Sequence, residues 1–95
     1  MVIVEDIMSA IKIGRRCSAL SLFGATITKE MVTRLIDDFA RIIIWLDRDK
    51  FQASLKLQKM MQNYHPNVKI ISTDADPKDL PQSDINALID EKERR

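Results

Sequence analysis

With a single cysteine, Cys17, the chain has no means of closing an internal disulfide, and this favours a reducing compartment. A reactive thiol would need a base beside it, and His65 is the only histidine. A packing role suits Cys17 better. Two glycines and three prolines in 95 residues are too few for the many tight turns of an all-β fold. Aromatic residues make up 5% of the chain, which leaves few side chains on which bases could stack. Trp45 and Phe51 read as core. The formal net charge is only +1, without the basic excess that marks a phosphate-binding surface. No apolar run is long enough to cross a membrane. Met1-Val2-Ile3-Val4 reaches an acid too early for a signal peptide, so a cytoplasmic protein is expected. Neither a P-loop nor a dinucleotide glycine motif is present.

What is there is 45% hydrophobic and 31% charged, the composition of one globular domain spanning 1–95. A chain of this size hides roughly 60–65% of its unfolded surface, enough for one core. Four short apolar runs read as strands: Val2 to Val4, Ser18 to Phe23, Ile42 to Leu46 and Val68 to Ser72. Helical periods alternate with them. Ile7, Met8, Ile11 and Ala10 recur at helical spacing after Asp6, with Gly14 as the stop. Thr28 is a good N-cap for a helix with Val32, Leu35, Ile36 and Phe39 on one face. Ala53, Leu57, Met60, Met61 and Tyr64 share a face before Pro66, with His65 a turn residue. Ser83 can cap a last helix with Ile85, Leu88 and Ile89 on one side, ending in the charged run 91–95. This alternation predicts an α/β fold: a compact four-stranded, mainly parallel sheet flanked by helices, Rossmann-like.

Ile42 to Leu46 stops at Asp47-Arg48-Asp49. Ligands gather at the carboxyl ends of strands in such sheets, and two carboxylates about 5 Å apart repel by roughly 3 kcal/mol at an effective dielectric near 20. A divalent cation removes that penalty, and Mg²⁺ commonly takes one or two carboxylates, waters and substrate phosphates. Taken alone, Asp-x-Asp suits either a metal site or a solvated turn. Three of the four expected strands close on acids, however: Glu5, then Asp47 with Asp49, then Asp74 through Asp79. In a parallel sheet those ends share one edge, so a Mg²⁺ or Mn²⁺ site is expected there. Arg15, Arg16 and Lys50 are candidate phosphate contacts, although cations at a helix end also complement its dipole.

The segment Val2 to Ala10, the pair Asp47 and Asp49, and Asp76-Pro77-Lys78-Asp79 together resemble the Toprim domain, most closely that of bacteriophage and bacterial DNA primases. The resemblance spans nearly the whole chain. It implies that Glu5 is a general base or acid in nucleotidyl transfer. Asp47 and Asp49 would then hold the metal, with Asp76 and Asp79 extending the site. Asp6 stands where many members have glycine, Ser9 where primases often have an acid, and Lys50-Phe51-Gln52 where a glycine is common. The implied activity is Mg²⁺-dependent synthesis of RNA primers, with single-stranded DNA template, nucleotides, and other primase or helicase domains as partners.

Other functions use the same acids. A Toprim nuclease would cut phosphodiesters rather than join them. A non-catalytic module would bind a replication partner. A phosphoacceptor receiver domain also carries acids at its first and third strand ends.

Overall fold

A computed structural model describes residues 1–22, 28–65 and 67–93; the side chains of Lys29 and Ile36 are also not described. The expected strand end at Phe23, the break at Gly24, the helix stop at Pro66 and the tail at Arg94-Arg95 lie outside the described residues.

Four strands form, each at an apolar run: β1 (Val2–Val4), β2 (Ala19–Ser21), β3 (Ile42–Trp45) and β4 (Val68–Ile70). All pairings are parallel, in the order β2-β1-β3-β4. The elements α1 (Ile7–Gly14), α2 (Lys29–Asp38), α3 (Phe51–Gln62) and α4 (Gln82–Glu93) alternate with or follow the strands. The expected α/β fold with a four-stranded parallel sheet is the one observed. Every residue of β1 and β3 is buried, as central parallel strands covered on both faces require. Val2, Val4, Ile43 and Trp45 meet Ile13, Ile85 and Ile89 of α1 and α4. Ile3, Ile42, Ile44 and Leu46 meet Val32 and Met61 of α2 and α3. The alternation of side chains along a strand produces these two layers. The changeover of helices between faces follows from right-handed crossovers: β1 to β2 steps one way, and β2 to β3 steps back across β1. Among the described residues no helix is long and apolar enough to cross a membrane.

Side-chain caps begin two of the helices. Asp6 caps α1 by accepting from the Ser9 amide at 2.8 Å, and Thr28 caps α2 by accepting from the Met31 amide at 3.3 Å. His65 is a turn residue whose Nδ1 accepts from the Asn67 amide at 2.9 Å. The last helix begins at Gln82, so Ser83 lies inside it rather than capping it.

Two helix faces differ from the sequence reading. Ile7, Met8 and Ile11 are 53%, 59% and 53% exposed, whereas Ser9 and Ile13 are buried. The apolar residues of α1 make two stripes, and period alone does not choose between them. The choice follows from Ser9, whose amide binds Asp6 and whose hydroxyl accepts from the Lys78 amide at 3.2 Å. Those bonds turn the Ser9–Ile13 stripe inward. On α3, Met61 is buried, but Ala53 and Phe51 are exposed, as is Tyr64 just past the helix. Phe51 is therefore not a core residue: it opens α3 at the sheet edge, ahead of the turn that packs. An exposed Ile11 sets an expectation. Ile11→Lys should shift stability by no more than about 0.5 kcal/mol in urea unfolding, as surface substitutions do. A loss above about 2 kcal/mol, typical of truncating a packed residue, would show that Ile11 is covered.

Candidate metal and phosphoryl-transfer site

The strand order reverses between β1 and β3, since the chain leaves β1 toward β2 on one side and returns to β3 on the other. Ligands of open α/β sheets bind outside the carboxyl ends of the strands at such a point. Val4 pairs with Trp45, so Asp6 and Asp47 each lie two residues beyond the last paired position. The β4 connector reaches the same edge. The Trp45 indole N–H donates to Thr73 Oγ1 at 3.1 Å, and Thr73 Oγ1 in turn donates to the Ala75 carbonyl at 2.6 Å. Asp76 then opens a 3-10 turn at Pro77–Asp79.

Asp47 is the centre of the group. Its Oδ1 is buried and has no hydrogen-bond partner among the described residues. A buried polar atom without a partner is uncommon and costs free energy. Burial raises the Asp47 pKa above its ordinary value, and the charges of Asp76, Asp6 and Glu5 push it further, against the pull of Lys78. Asp6 behaves in the opposite way. Burial would raise its pKa, but hydrogen bonds from Ser9 and the Lys78 charge leave it lowered. Asp6 Oδ2 lies 3.4 Å from Lys78 Nζ, a charge contact without hydrogen-bond geometry. Lys78 is held protonated, chiefly by Asp6.

The predicted residues therefore separate. The charges of Glu5 and Asp76 act on Asp47 at the edge. Asp49 and Asp79 are exposed, each in a 3-10 turn, two residues past Asp47 and three past Asp76 respectively. A 3-10 turn places three residues per revolution, so the second acid of Asp47-Arg48-Asp49 does not stay beside the first. Arg15 and Arg16 sit at the opposite edge of the sheet. Helix α1 runs back from the Asp6 end toward the start of β2, where the Ser18 carbonyl accepts from the Val2 amide at 2.9 Å. Arg16 is ion-paired there with Asp90 of α4. Neither arginine flanks the acids, because a crossover helix runs antiparallel to its strand. Lys50 does remain near the edge, its amide donating to the Asp47 carbonyl at 2.8 Å. The sequence reading named neither Asp6 nor Lys78 as a site residue. Position beside Glu5 was a usable signal for Asp6; nothing local pointed to Lys78. The Cys17 thiol, half-buried, has its pKa raised by burial, as a packing residue should.

Among the described residues, no three His, Cys, Asp or Glu side chains form a ready cation cage. Mg²⁺ does not require one, since it retains waters and uses one or two carboxylates with substrate phosphates. The unpartnered Asp47 oxygen and the nearby Asp76 carboxylate fit that mode. A groove of about 630 Å³ runs between α3 and α4 beside β4, lined by Phe51, Leu55, Lys69 and Leu88 among others. None of Glu5, Asp6, Asp47 or Asp76 lines it. Comparison with protein-family models, curated proteins and solved structures finds no match for the chain.

Proposed function

We propose that the chain is the metal-binding catalytic domain of a phage-type DNA primase, acting in Mg²⁺-dependent nucleotidyl transfer with partner domains. The observation that carries this reading is the buried, unpartnered Asp47 oxygen at the switch point of the sheet, on which the charges of Asp76, Asp6 and Glu5 act. The resemblance of these positions to the Toprim pattern supports it. Asp47 and Asp76 would hold Mg²⁺ or Mn²⁺, with Asp49 and Asp79 reached through water from their exposed turns. A bound divalent ion supplies charge stabilisation to phosphate oxygens during their displacement. Glu5 follows the last residue of β1 on the same edge, where it would take a proton from an attacking hydroxyl. Lys78 and Lys50 are the cations that can meet phosphate there. A template of single-stranded DNA needs more positive surface than two lysines in a domain of net charge +1, so partner domains supply it.

The test is Mn²⁺ titration followed by assay on single-stranded DNA with ribonucleotides. The wild-type chain should bind Mn²⁺, yet make no primer and cut no DNA alone, and should form primer once joined to a basic template-holding domain. Glu5→Gln should remove at least about 100-fold of that activity, the scale of lost acid–base catalysis, with Mn²⁺ affinity little changed. Asp47-dependent DNA cutting by the chain alone would replace the primase with a nuclease. Absence of Mn²⁺ binding would overturn both.

A further inference from the structure

Beyond β4 the chain forms no further ladder, yet residues 76–80 must hold still if Asp76 is to face Asp47. The bonds that hold them come from α1, 66 to 69 residues away in sequence. Lys12 Nζ donates to the carbonyl of Lys78 at 3.0 Å and also to that of Leu80. Ser9 Oγ, on a fully buried residue, accepts from the Lys78 amide at 3.2 Å. Pro77, buried, starts the turn with no side-chain cap of its own. We propose that Lys12 is the positioning residue of the acidic edge: it latches the turn 77–79 onto α1 and so sets Asp76 against Asp47. In its use of a cation, this rests on the reading given under the proposed function; in its mechanics it does not.

The physical case is that a protonated amine to a carbonyl is a strong hydrogen bond, and Lys12 makes two across one short turn. The two carbonyls belong to residues 78 and 80, one on each side of Asp79, so the amine spans the end of the turn. Asp76 lies between this latch and the Trp45–Thr73 bond, and the two together leave it little freedom. Asp76 is also the foremost charge acting on Asp47, as a carboxylate held nearby should be. Lys12 touches no carboxylate of the edge, so it works through Asp76 and is not a catalytic residue.

Two measurements on the 95-residue chain test this. Amide hydrogen exchange in Lys12→Met should accelerate at Lys78, Asp79 and Leu80 while β1 and β3 amides stay protected. Lys12→Arg should restore much of the protection, and Arg16→Met, which breaks an ion pair just past the same end of α1, should leave those amides unchanged. Unaltered exchange at 78–80 in Lys12→Met overturns the latch. Equal acceleration in Arg16→Met overturns it too, as a general loosening of α1. Mn²⁺ affinity should fall by about 10-fold in Lys12→Met, the scale for losing a group that orients a metal ligand. The fall should vanish in an Asp76→Asn background, because the effect passes through Asp76. A fall of the same size in both backgrounds refutes that route. Should the wild type bind no Mn²⁺, the reading under the proposed function fails, and exchange alone upholds or overturns the latch.

Discussion

Asp47→Asn should lower Mn²⁺ affinity by more than about 100-fold and, without metal, make the folded chain more stable at neutral pH. The first effect exceeds the 10- to 100-fold usual for an outer-sphere partner because a direct ligand is lost. The second follows from linkage. The ordinary value for the Asp47 carboxyl is 3.8, and folding raises it, by burial first and then by Asp76, Asp6 and Glu5. Below that ordinary value both folded and unfolded states hold the proton, so the group costs nothing. As pH rises from there through the raised folded value, the folded state must lose a proton it prefers to keep, and stability is lost. An amide escapes this loss. The gain in Asp47→Asn should therefore be present at neutral pH and disappear in acid. Asp6 has the opposite sign, its lowered pKa giving stability that is lost as pH falls through the folded value; Asp6→Asn should be less stable than wild type at neutral pH. Urea unfolding across pH checks both signs. Equal stability of Asp47→Asn and wild type at neutral pH, or a gain that grows on acidification, would remove the electrostatic account of the edge. Retained Mn²⁺ binding would remove Asp47 as a ligand.

Trp45→Ala should cost about 3–5 kcal/mol, a large share of the 5–15 kcal/mol typical of a whole domain. Trp45 is the largest fully buried side chain, packed with Val2, Val4, Ile85 and Ile89 between sheet and helices. Its removal leaves a cavity that neighbouring side chains from three elements cannot all collapse to fill. It also ends the bond to Thr73 Oγ1, one of the two ties on the connector that carries Asp76. Trp45→Phe separates these effects. It keeps most of the apolar volume and drops the indole N–H, so the cost of the bond alone, about 0.5–1.5 kcal/mol, should dominate. Urea unfolding of the two variants, with amide exchange at residues 73–76, gives the comparison. A cost below about 1 kcal/mol for Trp45→Ala would mean the central strand is not packed as described. Unchanged exchange at 73–76 in Trp45→Phe would mean the indole does not anchor the connector.

The fold class, the strands and the edge at which the acids gather were legible in the sequence by itself. Ile42 to Trp45 and Val2 to Val4 are β-branched apolar runs with no polar alternation, which only a doubly covered parallel strand can use. The acids closing them then fall on one edge, because parallel strands all point the same way. Glu5 and Asp47 needed nothing more. The expected strands ran one or two residues too long at Leu46 and Ser72: Leu46 and Ile71 are buried past the last residues of β3 and β4, Ile71 still donating its amide to the Ile44 carbonyl, and Ser72 is exposed. Tertiary structure decided the rest. Helix α1 could have buried Ile7, Met8 and Ile11 as well as Ser9 and Ile13, and the bond from the distant Lys78 amide to Ser9 chose between them. Asp49 was the obvious companion for Asp47, yet it stands exposed in a 3-10 turn, and Asp76 is the foremost charge acting on Asp47. Arg15 and Arg16 follow the acids closely in sequence but stand at the far edge, carried there by the helix. Periodicity and caps are local, acting over three or four residues. The contacts that bring Lys12, Ser9 and Asp6 to residues 78 and 80 join parts of the chain more than 60 residues apart, and only the closed sheet and its packed helices bring such residues together.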